Sequence, residues 1–205
     1  SEQERYDYIR RMVETINTTG RVSVQVYGVE NLPQQDGFIM FPNHQGLFDV
    51  LALIEASSHP FGVVIKKEAA GILLVKQVVR ALRGIAIDRD DIKSAMEIIR
   101  QMTREVKEGR NYVIFPEGTR SRNGNQILPF KAGTFKSAVN ARCPIVPVAL
   151  IDSYRPFDEG GIGRRTVQVH FLPPLMPEQY IGKKTVEIAD IVHDSIQDKI
   201  DQNIW

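Results

Sequence analysis

The hydrophobic positions of this chain recur with two periods, and the two periods follow one another along the sequence. Residues 4–17 place Ile9, Val13 and Ile16 on one face of a helix. Residues 22–26 then alternate valine with polar residues, which is typical of a half-buried strand. The chain therefore begins with a predicted amphipathic helix followed by a strand.

Beyond residue 36, short apolar runs typical of buried strands alternate with segments of helical periodicity. Strands are predicted at 37–41, 61–65, 85–88, 111–115, 145–151 and 166–171, and helices at 47–57, 68–82, 91–108, 132–140 and 186–200. Strands that alternate with helices favour an α/β fold. We expect a single domain with a mostly parallel or mixed central sheet flanked by helices.

Composition narrows the class of protein. The 205 residues suit one domain with a proper core, and a formal net charge of +1 gives no argument for a nucleic-acid partner. Cys143 is the single cysteine, which excludes an intramolecular disulfide, and its apolar neighbours predict a buried thiol. No apolar run approaches the roughly 18 residues that span a bilayer. Because the chain begins with Ser1, a preceding segment with a membrane anchor is left open.

Polar side chains follow the ends of several predicted strands. His44, Lys66 and Arg89 each come after a strand, as do Glu117 and Arg120. In open α/β sheets, ligands bind beyond the carboxyl ends of the strands. We therefore expect these groups to converge on one edge of the sheet if their strands are parallel neighbours.

Residues 43–49 read Asn-His-Gln-Gly-Leu-Phe-Asp and contain the strongest candidate for catalysis. If His44 lies in a loop and Asp49 in the first turn of a helix, the carboxylate can orient one imidazole nitrogen. The other nitrogen is then a general base. Asp49 also has a plainer interpretation, since an acid near a helix start is favourable with the dipole. Two ligands are too few for a metal site, so no metal is expected.

A second candidate site is a group of cations that could bind phosphate. Arginine forks match phosphate oxygens, and Arg120, Arg122, Arg89 and Lys66 all follow predicted strands. Each alone is also explained as solvated surface charge. Glu117 is interpreted as a substrate ligand or as the partner of one of these arginines, with the ion pair slightly favoured.

Four short blocks in a fixed order carry a resemblance to a known family. They are Asn-His-x4-Asp at 43–49, Gly-x-x-x-Asp-Arg at 84–89, Phe-Pro-Glu-Gly-Thr-Arg at 115–120 and Val-Pro-Val at 146–148. The chain resembles the glycerolipid acyltransferase family, most closely its bacterial 1-acyl-sn-glycerol-3-phosphate acyltransferases, over residues 22–171. One departure is Gly46, where many members carry serine.

The resemblance implies a glycerol-3-phosphate acyltransferase-like fold and a specific reaction. A fatty acyl group passes from acyl carrier protein or coenzyme A to the sn-2 hydroxyl of 1-acyl-sn-glycerol 3-phosphate (lysophosphatidic acid). The product is phosphatidic acid, used in phospholipid biosynthesis. His44 and Asp49 are the implied catalytic pair, and the phosphate ligands are Arg89, Arg120, Arg122 and Lys66. Glu117, Gly118 and Thr119 support the substrate site, the last two through N–H groups that could bind an oxyanion.

The resemblance also implies partners and a location. The expected partners are lysophosphatidic acid, an acyl thioester of acyl carrier protein or coenzyme A as co-substrate, and a membrane surface; no further cofactor is expected. We expect residues 1–20 to form an N-terminal helix near the membrane and residues 21–205 to form the acyltransferase domain. The expected location is the cytoplasmic face of the cell membrane, peripheral or anchored through a segment absent from this chain.

Three alternatives stay open at the level of sequence. The acceptor could be another lysophospholipid or glycerol 3-phosphate. The His/Asp pair could instead activate water in a thioester hydrolase, or the cations could serve a lipid-binding module without catalysis. Residues 71–75, with Val78 and Val79, could line an acyl tunnel or a membrane-facing patch, although helix core is the favoured interpretation.

Overall fold

The structure is a computed structural model that describes residues 1–71, 73–88, 91–161 and 163–203. Within these residues one seven-stranded sheet has the order β1-β7-β6-β2-β5-β3-β4. All neighbouring strands pair in parallel except β6 and β7, which pair antiparallel. The strands are β1 (Val22–Tyr27), β2 (Ile39–Pro42), β3 (Phe61–Lys66), β4 (Ile85–Ile87), β5 (Asn111–Ile114), β6 (Ile145–Ile151) and β7 (Arg165–Phe171). The predicted α/β fold with a mostly parallel, mixed sheet is confirmed.

Helices flank this sheet, and most of them lie where hydrophobic periodicity predicts them. They are α1 (Glu2–Thr19), α2 (Asp49–Ala56), α3 (Leu73–Ala81), α4 (Ile92–Lys107), α5 (Lys136–Ala141), α6 (Arg155–Asp158), α7 (Pro177–Tyr180) and α8 (Thr185–Asp201). The predicted helices at 68–82 and 132–140 each begin as a 3₁₀ segment, at Lys67–Gly71 and Ala132–Phe135. The four-residue helices α6 and α7 were not predicted, because one turn is too short to show a period.

The core lies on both faces of the sheet. Successive strand side chains point to opposite faces, so Met40 of β2 packs in the cluster that includes α1 and α2, while Ile39 packs in the cluster that includes α4, α5 and α8. This covering explains why β2, β5 and β6 are buried along their whole length, as parallel strands between two helical layers are. No helix in the described ranges is long and apolar enough to cross a bilayer.

The sheet order brings the functional segments to one edge. β5 pairs in parallel with both β2 and β3, so the chain leaves all three strands at the same side. Directly after β2, the Asn43 side chain donates to the Leu150 carbonyl at 3.0 Å and accepts from the Leu150 N–H at 2.7 Å. Asn43 therefore fixes the point at which the chain leaves the sheet for the loop that carries His44.

Candidate active site

His44 and Asp49 meet at the carboxyl end of β2. His44 lies in the loop before α2, Asp49 is the first residue of that helix, and Nδ1 of the imidazole is 2.7 Å from Oδ2 of the carboxylate. A carboxylate only accepts hydrogen bonds, so Nδ1 is assigned the proton and Nε2 carries the free lone pair. The imidazole is thereby oriented as a general base.

The Asp49 carboxylate is completely buried but well supplied with donors. Besides His44, it accepts from the Gln45 N–H at 2.7 Å, from the Gly46 N–H at 3.1 Å and from the Ser153 hydroxyl. These donors replace the water that burial removes, as a buried charge requires. The carboxylate is held in one orientation by four groups.

The backbone of His44 is held by the segment that follows β5. Oε1 of Glu117 accepts the His44 N–H at 2.6 Å, and Oε2 accepts the Leu128 N–H at 3.0 Å. The Ser121 N–H donates to the His44 carbonyl at 2.9 Å. The His44 ring also stacks on Phe115, with centroids 4.1 Å apart. The histidine is therefore fixed from its main chain and from its ring face.

Glu117 is buried, and its surroundings raise the pKa of its carboxyl group. Burial raises the pKa of this carboxyl to about 7, although the N–H bonds from His44 and Leu128 lower it in part. The expected ion pair between Glu117 and an arginine is wrong for the described residues, since none of their ion pairs includes this carboxyl. The side chain is occupied by backbone N–H donors instead.

An apolar cleft of about 250 Å³ opens beside His44. Its walls are formed by α2, β3 and α3 and by the rings of Phe115 and Phe157. The lining residues from the two helices and the strand are Val50, Leu51, 63–65, Val75, Val78 and Val79. Val75, Val78 and Val79 thus face this cleft, whereas residue 72 lies outside the described residues. Val78 and Val79 also pack against the core cluster that includes α1 and α2, so the interpretation as helix core holds for these two valines, which border the cleft as well.

Two cations share the cleft with His44. Lys66 and Arg120 line it, and neither takes part in an ion pair among the described residues. Arg122 is exposed, adopts a φ of 57° and does not belong to the described lining. Arg89 lies outside the described residues. Within those residues no group of three or more His, Cys, Asp or Glu side chains is placed to hold a metal ion.

The segment at residues 118–119 forms a tight turn at the cleft. Gly118 adopts a φ of 73°, which favours glycine, and its N–H donates to the Phe115 carbonyl at 3.1 Å. No hydrogen-bond partner for the Thr119 N–H was found among the described residues. Of the two groups expected to bind an oxyanion, the Gly118 N–H is therefore already engaged, whereas the Thr119 N–H has no partner within the described ranges.

Sequence reasoning missed the residues that support the pair. Ser153 follows β6, which is parallel to β2, so the rule that placed His44 at the sheet edge also applied to Ser153. Gln45 lies between His44 and Gly46, and its side chain accepts the Ser153 N–H at 2.8 Å. Leu128 could not be identified from its side chain, because only its backbone N–H contacts Glu117.

The chain is similar in sequence to several proteins named 1-acyl-sn-glycerol-3-phosphate acyltransferase. It is 29% identical over 182 residues to a 1-acyl-sn-glycerol-3-phosphate acyltransferase of Borreliella burgdorferi, covering 88% of this chain and 72% of that protein. Identity to the Escherichia coli 1-acyl-sn-glycerol-3-phosphate acyltransferase is 31% over 163 residues, or 79% and 66% of the two chains. The human 1-acyl-sn-glycerol-3-phosphate acyltransferase alpha is 29% identical over 197 residues, or 94% and 69%.

The fold has a solved counterpart and the sequence matches a family. The crystal structure of the 1-acyl-sn-glycerophosphate (LPA) acyltransferase PlsC from Thermotoga maritima superposes with a TM-score of 0.77 at 22% identity, covering 100% of this chain and 84% of that one. A sequence model of the acyltransferase family matches residues 23–151, which include His44, Asp49, Glu117 and Arg120. That match covers more than half of the protein, and the chain belongs to the acyltransferase family.

Proposed function

We propose that this acyltransferase moves a fatty acyl group from an acyl carrier protein or coenzyme A thioester to the sn-2 hydroxyl of 1-acyl-sn-glycerol 3-phosphate. The product is phosphatidic acid, for phospholipid biosynthesis. The observation that carries the proposal is the His44–Asp49 hydrogen bond beside an apolar cleft that is lined by His44, Lys66 and Arg120. The names of the relatives support the choice of acceptor.

In the proposed mechanism, His44 acts as general base and then as general acid. Nε2 takes the proton of the sn-2 hydroxyl while the hydroxyl oxygen forms a bond to the thioester carbonyl carbon. Asp49 stabilises the imidazolium through the Nδ1 hydrogen bond. The tetrahedral intermediate then releases the thiolate, which recovers the proton from His44. The Thr119 N–H is proposed to donate to the oxyanion of that intermediate.

The cations are proposed to hold the acceptor by its phosphate. Lys66 and Arg120 line the same cleft as His44, so a phosphate bound by them places the glycerol hydroxyls near Nε2. Arg122 and Arg89 are proposed as further ligands. Orientation of this kind lowers a reaction barrier by about 7–11 kcal/mol at most.

The apolar wall of the cleft is proposed to bind the acyl chain of the donor. Val63, Val78 and Val79 face the cavity, and their burial by a hydrocarbon chain is favourable at roughly 25 cal/mol per Å² of apolar surface. The part of the cleft lined by His44 is then proposed to receive the thioester carbonyl. No cofactor other than the donor thioester is required by this proposal.

The protein is proposed to work at the cytoplasmic face of the membrane, with residues 1–20 next to the lipid. In α1, Tyr6 and Val13 are buried against the domain, whereas Tyr8, Met12 and Ile16 are 60%, 47% and 55% exposed. Residues four apart on a helix are offset by only about 40°, so these three form one stripe. An exposed apolar stripe on an amphipathic helix suits binding in the plane of a membrane surface.

The reaction is tested with an acyl thioester in detergent micelles, with and without lysophosphatidic acid. Thiol release that requires lysophosphatidic acid and equals the phosphatidic acid formed supports the proposal. Thiol release without acceptor, yielding free fatty acid, identifies a hydrolase. Lipid binding without turnover, unchanged in His44→Ala, identifies a binding module. Competition with glycerol 3-phosphate and with other lysophospholipids ranks the acceptors.

A further inference from the structure

Ser153 lies beside the catalytic pair although it is far away in the sequence. It follows β6, and because β6 is parallel to β2 both chains leave the sheet at the same edge. Ser153 has no exposed surface, and its hydroxyl donates to Oδ1 of Asp49 across 104 residues of chain. The loop after β6 therefore contacts the carboxylate that orients His44.

The Ser153 hydroxyl is aimed at Asp49 by a chain of hydrogen bonds. The Ser153 N–H donates to Oε1 of Gln45 at 2.8 Å, and Nε2 of Gln45 donates to Oδ1 of Asn125 at 2.8 Å. Asn125 accepts the Asp152 N–H at 2.8 Å and donates to the Asp152 carboxylate at 2.9 Å. The network ties three loops together, so the position of Ser153 follows from the fold.

The two carboxylate oxygens of Asp49 accept hydrogen bonds from different sets of donors. Oδ2 accepts from Nδ1 of His44 and from the Gln45 N–H, both at 2.7 Å, and Gly46 adds a bond of 3.1 Å to each oxygen. Ser153 is the one side-chain donor to Oδ1 among the described residues. Without this hydroxyl, a buried oxygen keeps only the Gly46 bond, and the carboxylate is freer to rotate away from the plane that suits His44.

We propose that Ser153 is a positioning residue that fixes the Asp49 carboxylate and, through it, the tautomer and orientation of His44. The expected effect of Ser153 on kcat rests on the proposed function, whereas its expected effect on the orientation and tautomer of His44 does not. The loop closes tightly over the pair, since a Cβ at Gly46 would lie 3.1 Å from the Tyr154 Cα. The Ser153 hydroxyl therefore acts in a space from which solvent is excluded.

The kinetic test compares Ser153→Ala with a matched substitution. Ser137 is equally buried, lies in α5, and its hydroxyl has no partner among the described residues, so Ser137→Ala is the control. Ser153→Ala should lower kcat about tenfold, as expected for one hydrogen bond to a charged group, while KM for both substrates stays within about twofold. Ser153→Thr, which keeps the hydroxyl, should recover most of kcat. Ser137→Ala should change neither constant.

A spectroscopic test reports the same geometry without turnover. With ¹⁵N-labelled histidine, His44 of the native protein should show the Nδ1–H tautomer, and Ser153→Ala should show a mixture of tautomers. Ser153→Cys, close in size but a weak donor, should also show a mixture and serves if Ser153→Ala does not fold. Unchanged tautomer and unchanged kcat in these variants would overturn the inference. If the native protein transfers no acyl group, the tautomer measurement alone decides the role of Ser153.

Discussion

Burial changes the protonation state of Glu117 near neutral pH. Its two oxygens accept backbone N–H groups of His44 and Leu128, and burial raises its pKa to about 7 from an ordinary 4.5. A group whose pKa is higher in the folded state stabilises the fold most below its unfolded pKa, and loses that contribution as pH rises through the folded pKa. For Glu117 the loss falls between about pH 4.5 and 7.

This linkage predicts how Glu117→Gln depends on pH. The variant lacks the titrating group, and its amide NH₂ faces a backbone donor, so it should be less stable than the native protein at pH 5. The difference in unfolding free energy between native and variant should shrink by up to about 3 kcal/mol between pH 5 and pH 8. Urea denaturation at several pH values measures it. A difference that grows with pH would show that the charged carboxylate is the favoured form.

The sequence was sufficient to find the proposed catalytic pair, but it did not identify the groups that hold this pair in place. His44 and Asp49 lie five residues apart, with Gly46 between them, so a loop followed by a helix start brings them together. Glu117 and Ser153 reach the same place only through the order of strands β5, β2 and β6. No local sequence pattern specifies the order of strands in the sheet. The contact of Ser153 with Asp49 was therefore missed, and the partner of Glu117 was expected to be an arginine.

At the scale of elements, α3 forms one wall of the cleft. Val75, Val78 and Val79 recur at helical spacing and line the cavity, whereas Gln77 on the same helix is exposed. Val75→Trp should fill part of the cavity and shift preference toward shorter acyl donors, with kcat/KM for a long-chain donor falling roughly tenfold. Gln77→Trp, the matched control, should leave the preference unchanged. Donors of increasing chain length measure this, and equal effects of the two variants would argue against an acyl site here.

The turn after β5 is predicted to hold the acceptor phosphate mainly through Arg120. Arg120→Ala should raise KM for lysophosphatidic acid about 10-fold to 100-fold, since a charged hydrogen bond contributes about 1.5–3 kcal/mol. Arg122→Ala should raise it less, because Arg122 is exposed and outside the described lining. Arg104→Ala, on the exposed side of α4, is the control. Initial rates against acceptor concentration give the result, and the reverse ranking of Arg120 and Arg122 would contradict the assignment.

Hydrophobic periodicity predicted most elements correctly, within a few residues at each end. The differences between the predicted and observed elements have physical causes. Residues 67–71 and 132–135 adopt 3₁₀ geometry before α3 and α5, and the tighter turn does not alter a helical pattern of apolar positions. The antiparallel pairing of β6 with β7 could not be predicted, because the apolar pattern within a strand does not specify the direction of its neighbour.

At the scale of the whole molecule, the exposed stripe of α1 is predicted to bind the lipid surface. Replacing Tyr8, Met12 and Ile16 together by serine should reduce co-sedimentation with anionic phospholipid vesicles several-fold, because it removes the apolar surface that enters the headgroup region. Replacing three exposed apolar residues elsewhere, Ile181, Val186 and Ile191, by serine is the control. Equal vesicle binding by native and α1 variants would place the lipid contact on another surface.

The central claim is that His44, oriented by Asp49, transfers the acyl group directly to lysophosphatidic acid. The most direct measurement is phosphatidic acid formed by native protein and by His44→Ala from the same acyl thioester, with circular dichroism confirming that both are folded. The account predicts that His44→Ala loses about 10²-fold to 10⁴-fold in rate, and Asp49→Asn a comparable amount, because the oriented base is gone. Robust phosphatidic acid formation by folded His44→Ala would contradict the mechanism.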